Sequence, residues 1–170
     1  MMEARTAAQA YARTPQTESS VWYIGSLFTF LAEARDTDGQ FAVMDITTWQ
    51  GGEPPRHIHQ REDEMFYILD GAVTFYIGDQ VYDATNGTLV FAPRGIPHSF
   101  ALQTPTARML AAYTPAGAEQ HFRDARFSTP APALTLPPRP AGPPDVGAFV
   151  ADLATYSIEV VGPPGPPMQH

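Results

Sequence analysis

The sequence predicts an all-β fold, an antiparallel jelly-roll β-barrel with short C-terminal helices. Three observations lead there. Short runs of β-branched and aromatic residues recur at regular spacing between Gly- and Pro-containing turns, as in barrels and sandwiches. Two of those turns, Gly78-Asp79-Gln80 and Asn86-Gly87, carry tight-hairpin chemistry. The 170 residues, 18.5 kDa, fit one domain with a sizeable core, and no internal repeat divides them.

The elements follow in order. Residues 1–20 are polar and rich in Ala, Thr and Ser, more tail than domain. Residues 21–31 are apolar and aromatic and predict a strand or strand pair. Asp36-Thr37-Asp38-Gly39 signals a turn, after which residues 40–49 alternate as a strand. A loop at 51–55 delivers the chain to His57-Ile58-His59, and Met65-Phe66-Tyr67-Ile68-Leu69 is strongly β-prone. Residues 72–77 and 81–84 read as a hairpin, and 88–91, 98–102 and 108–113 complete the strands. The stretch 116–127, with His121 and Phe122, is either a short helix or an irregular turn. Residues 128–145 hold seven prolines and predict an extended strap along the barrel. A helix should follow, because Asp145 suits an N-cap and Val146, Phe149, Val150 and Leu153 recur at helical spacing. Residues 156–161 are strand-like and the Pro/Gly-rich end is expected to be loose. The organisation is thus a tail at 1–20, a barrel at 21–127, and a strap, helix and C-terminal tail packed on it at 128–170.

Chemistry concentrates in two places. Three of the five histidines, His57, His59 and His98, fall with Glu64 in two short segments. On an extended strand His57 and His59 project to the same side, and Glu64 follows within one turn. Three imidazoles and a carboxylate are a donor set for one divalent transition metal ion per subunit (Fe, Mn, Ni, Co, Cu or Zn), with coordination positions left open. If Glu64 and His98 point inward, parity brings Phe66, Ile68 and Phe100 with them, and Met44 joins them from the preceding strand. They would line an apolar pocket for an aromatic or hydrophobic substrate, or they would simply fill the barrel. His121 reads as a surface residue or one lying behind the ligands. Arg94 either anchors an anion or pairs with a nearby acid.

Composition excludes other classes. A net charge of −8 and a pI near 4.9 argue against nucleic acid or an anionic membrane as partner. With no cysteine there is neither a disulfide framework nor thiolate ligation. The first ten residues lack the apolar core of a signal peptide and no stretch is long enough to span a bilayer, so a cytoplasmic location is expected.

The same residues resemble the cupin superfamily. Its first motif, Gly, five residues, His-x-His, three or four residues, Glu, six residues, Gly, is met by Gly51, His57, His59, Glu64 and Gly71. Its second is met by Gly87, Pro93, Gly95 and His98, with Leu102 standing where the family has Asn. The motif's register to Gly71 favours Glu64 over Glu62 and Asp63 as carboxylate ligand, leaving those two as surface acids. Within the superfamily the chain is similar to single-domain proteins grouped with quercetin 2,3-dioxygenases, through 55–59, 62–71, 91–98 and the tail 156–164. That resemblance implies a flavonol-like enol as substrate, dioxygen as co-substrate, and Glu64 as the catalytic base. A redox-neutral isomerase, cyclase or lyase would use the same ligands, and a non-catalytic small-molecule-binding cupin is the other class. The resemblance also implies a homodimer, with 21–31 as a candidate exchanged or packed edge strand.

Overall fold

Alternating burial along the apolar runs sorts the described residues, 9–142 and 144–166, into twelve strands in the computed structural model. They are β1 (Ser20–Tyr23), β2 (Ser26–Ala32), β3 (Ala42–Trp49), β4 (Arg56–His59), β5 (Asp63–Asp70) and β6 (Ala72–Ile77). β7 (Gln80–Thr85), β8 (Leu89–Ala92), β9 (His98–Leu102), β10 (Thr106–Thr114), β11 (Ser128–Pro130) and β12 (Ile158–Gly162) follow. One antiparallel sheet runs β11-β1-β2-β3-β10-β5-β8 and the other β12-β4-β9-β6-β7. This is a cupin-type jelly roll. No helix among the described residues is long and apolar enough to cross a membrane.

The inward faces of the two sheets make one core. Phe30, Met44, Ile68, Met109 and Ala111 are fully buried in it. Phe66, Phe75 and Phe100 meet at ring centroid distances of 4.9, 5.5 and 5.8 Å, in tilted and edge-on contacts that suit their quadrupoles. Phe66, Ile68, Phe100 and Met44, the residues expected to line a pocket, are all buried within this cluster. Small barrels are commonly filled by their own side chains.

Residues 21–31 form a strand pair, turned at Ile24 and Gly25 with φ of 43° and 81°. They are not an edge. β2 lies between β1 and β3, and β1 is covered by β11, the first residues of the Pro-rich stretch. The strap then runs on across the same sheet. Trp22 Nε1 donates to Thr135 O at 2.8 Å, Trp49 Nε1 donates to Pro137 O at 3.3 Å, and Arg139 lies over the Trp49 ring. Extended, proline-rich backbone has free carbonyls, and the two indoles use them.

The turn expected at 36–39 is a short helix, α1 (Ala34–Thr37), closed by a Glu33–Asp36 capping box and by Asp38 in the left-handed region. The stretch 116–127 contains a 3-10 helix over Ala118–Arg123. Asp145 caps α2 (Val146–Thr155) by accepting from Ala148 N at 3.0 Å. Of the predicted apolar face, Leu153 is buried and Phe149 packs on the core, whereas Val146 and Val150 are exposed.

Both chain ends are more tied than expected. Arg13 pairs with Asp36 at 2.8 Å and Tyr11 Oη donates to Leu31 O, so the described part of the 1–20 tail lies on the barrel. Residues 1–8 lie outside the described residues. At the other end Ser99 Oγ donates to Gly165 O at 2.6 Å and Arg56 N donates to Pro163 O, fastening the chain over β9 and β4. Residues 167–170, the last part of the expected loose end, lie outside the described residues.

Gly71, between β5 and β6, has φ of +91°, and an added Cβ would meet Thr106 O at 2.7 Å. Gly71→Ala is expected to cost about 2 kcal/mol or more, from the left-handed backbone and a backbone atom that has no room to move. A thermal melt within a degree of the parent would contradict this.

Candidate metal centre

Register explains how four distant residues converge. β4 pairs β9 with His57 opposite His98, placing two imidazoles side by side on the five-stranded sheet. β5 belongs to the other sheet, and its buried positions are Glu64, Phe66 and Ile68, so Glu64 faces the histidines across the barrel. One donor atom from each of His57, His59, Glu64 and His98 lies within 4.8 Å of all the others. His59, Glu64 and His98 are buried and His57 is half-buried.

The tautomers are constrained. His57 Nδ1 lies 2.8 Å from Pro55 O and His98 Nδ1 lies 3.1 Å from Ile96 O. A carbonyl only accepts, so each Nδ1 carries the hydrogen and each Nε2 offers a lone pair to the cluster. His98 Nε2 is nevertheless 3.0 Å from Glu64 Oε2, and His59 Nε2 is 3.4 Å from the same oxygen. A lone pair against a carboxylate is repulsive unless a proton or a cation stands between them. The donor set therefore fits a bound metal ion, which would satisfy all four groups at once.

The titration behaviour has the same origin. Burial pushes His57 down to about 3, helped by the neighbouring His98 and His59. Burial works to raise Glu64, but the His98 hydrogen bond and the three imidazoles outweigh it and hold the carboxyl at about 2. Burial likewise disfavours the His98 imidazolium, and the Glu64 contact overcomes it to raise that pKa.

Three residues join the site that sequence reasoning missed or misplaced. Tyr113 stands opposite Glu64 across β10 and β5, where burial and then the Glu64 carboxylate raise its hydroxyl pKa, and its ring lies 5.2 Å from that of His59. Parity along 109, 111 and 113 was the available signal. Glu62 is not a surface acid: it is 1% exposed and sits 3.4 Å from His59 Nδ1. Asp63 does face solvent, where Arg94 binds it at 2.8 Å, so the acid partner and not an anion site accounts for Arg94. His121 is buried rather than on the surface. Its Nδ1 lies 3.3 Å from Tyr23 Oη and 3.5 Å from Asp152 Oδ2, and its ring packs on Phe122. Burial chiefly, with the neighbouring His59 imidazole, lowers His121 to about 3. Phe122 stacks on Phe28 and belongs to the core. Two surface grooves, one beside α2 and β12 and one under the strap, are lined by none of the four clustered residues.

Comparison with known proteins agrees with this geometry. Residues 44–113 match the cupin domain family. The chain is 29% identical over 97 residues to quercetin 2,3-dioxygenase of Bacillus subtilis, 57% of this chain but only 29% of that enzyme's length. It is 24% identical over 91 residues to an uncharacterised protein of Streptomyces coelicolor, covering 54% of this chain and 81% of the relative. Among solved structures, an RmlC-like cupin from Shewanella frigidimarina superposes with a TM-score of 0.54 at 17% identity, over 65% of this chain and 96% of that one. The nucleoside dehydratase Pac13 of Streptomyces gives 0.52 at 18% identity, over 65% and 88%. KdgF from Halomonas gives 0.51 at 17%, over 56% and 84%. At such identities the structures speak to the fold alone. Both motifs stand in register on a jelly roll, and the match to the cupin domain family over 44–113 falls on the strands that carry them.

Proposed function

We propose that the chain is a metal-dependent cupin oxidoreductase, a dioxygenase that opens a flavonol-like or other enolic aromatic substrate with dioxygen. The observation that carries the reading is the convergence of three imidazoles on one buried carboxylate, with Tyr113 opposite it in register. A divalent transition metal held by His57, His59, Glu64 and His98 would supply Lewis-acid and redox chemistry to an enolate. Glu64 would take the enol proton, since a carboxylate ligand moves between coordination and hydrogen bonding at little cost. The Tyr113 hydroxyl would hold that carboxylate in place meanwhile. Both dioxygen atoms would enter the ring-opened product, and the enol carbon would leave as carbon monoxide with its own oxygen, two carbon–carbon bonds and the O–O bond being broken and no external reductant consumed. The similarity to a quercetin 2,3-dioxygenase over 97 residues supports the substrate class.

The Tyr113–Glu64 pair also favours a second reading, a redox-neutral isomerase, cyclase or lyase in which the two groups pass a proton to and from the substrate. An oxygen electrode separates the two. Metal-loaded protein with quercetin should consume equimolar dioxygen and release carbon monoxide. Conversion of an enolisable substrate without oxygen uptake would establish the second reading, and a bound but unchanged ligand would leave a binding cupin.

A further inference from the structure

We propose that Glu62 is a positioning residue of this centre, accepting the Nδ1 hydrogen of His59 and so fixing the tautomer that presents Nε2 to Glu64 and to a bound metal. The proposal rests on the metal-binding reading of the cluster.

Glu62 and Glu64 are two residues apart, share parity and are both buried, at 1% and 3% exposure. Asp63 between them points out to Arg94. The two inward carboxylates bracket one imidazole: Glu62 Oε2 lies 3.4 Å from His59 Nδ1, and Glu64 Oε2 lies 3.4 Å from His59 Nε2. A neutral imidazole has one N–H and one lone pair, so only one of its nitrogens can face a carboxylate favourably unaided. The other needs a cation. His57 and His98 converge on the Glu64 side, so the cation belongs there and the hydrogen belongs toward Glu62.

The local wiring agrees. His57 and His98 each place Nδ1 on a backbone carbonyl two residues upstream. His59 Nδ1 makes no such bond, and neither it nor either Glu62 oxygen has a hydrogen-bond partner among the described residues, although the two groups approach to 3.4 Å. A buried carboxylate left alone is strongly unfavourable, and closing the 3.4 Å approach to His59 into a hydrogen bond would satisfy both groups. The bend after β4 makes this possible. His59 O accepts from Gly95 N and Gln60 N donates to Ser157 O, which turns the chain so that Glu62 comes back beneath the ring. A carboxylate on the distal nitrogen makes an imidazole a stronger donor than a carbonyl does, and such partners change metal affinity by about 10- to 100-fold.

The test uses the full chain, stripped of metal and titrated with Co²⁺ alone. Glu62→Gln and Glu62→Leu should both still bind one Co²⁺ per chain at saturation. Their affinity should fall by about 10-fold and about 100-fold respectively, with a shift of the cobalt absorption bands. In a His59→Ala background the Glu62 substitutions should have no further effect. Long-range ¹H–¹⁵N NMR of the Zn²⁺-loaded chain should show His59 as the Nδ1–H tautomer, and this readout needs no variant to fold. Unchanged affinity and spectra in both variants, a Glu62 effect that persists without His59, or an Nε2–H tautomer would overturn the proposal. A parent chain that takes up no Co²⁺ would instead remove the metal reading, and this proposal with it.

Discussion

His98→Ala is expected to leave the chain unable to hold metal, with affinity reduced by about a hundredfold or more, beyond what loss of any supporting group produces. His98 is the donor that β9 contributes, and its Nε2 stands 3.0 Å from Glu64, closer than His59 does. Without it, two imidazoles from β4 and one carboxylate remain, an incomplete set whose carboxylate has lost its nearest partner. The substitution should not unfold the barrel, because His98 lies at the end of β9 while the phenylalanine cluster lies deeper along the same strands. Elemental mass spectrometry of protein purified without chelator checks this directly. The parent should carry near-stoichiometric Fe, Mn, Ni, Co, Cu or Zn and His98→Ala should carry almost none. A His98→Ala chain with the parent's metal content would remove His98 from the ligand set and, with it, the four-residue centre.

Phe75→Ala should cost about 3–5 kcal/mol, the range for deleting a buried aromatic whose neighbours cannot collapse into the gap. Phe75 is 1% exposed, centred on β6, and touches both Phe66 from one sheet and Phe100 from the other. With the Phe66–Phe100 contact it joins the two layers. Against a total stability of about 5–15 kcal/mol this is a large fraction. With a slope of about 2 kcal/mol/M it should move the urea midpoint of the metal-free chain by about 2 M. A midpoint shift below about 0.5 M would mean that the barrel interior is loosely filled at this level, and the apolar pocket expected from parity would return as a reading.

Much of this molecule was legible in one dimension because strand chemistry is local. Alternation with period two decides which side chains share a face, so His57 with His59, and Glu64 with Phe66 and Ile68, could be paired before any fold was known. Gly71 and Gly78 mark turns because only glycine takes their backbone angles freely, and Asp145 caps α2 through a bond to Ala148, three residues on. Inward direction was legible as well. Inward environment was not. Parity placed Phe66, Phe100 and Met44 toward the interior, yet whether an interior is cavity or core depends on how closely the opposite sheet approaches.

The sequence by itself determined the strands, their faces, the two motifs and the donor types that meet at the centre, since each depends on contacts within a few residues or on side-chain chemistry alone. Only the tertiary structure decided that β11 covers β1, that β12 covers the strand carrying His57 and His59, and that His121 and Glu62 are buried. Ile158 meets His59 from 99 residues away, and nothing local encodes that pairing. It follows from which long-range arrangement buries the most apolar surface while leaving the fewest backbone groups unpaired, a balance that is settled over the whole chain at once.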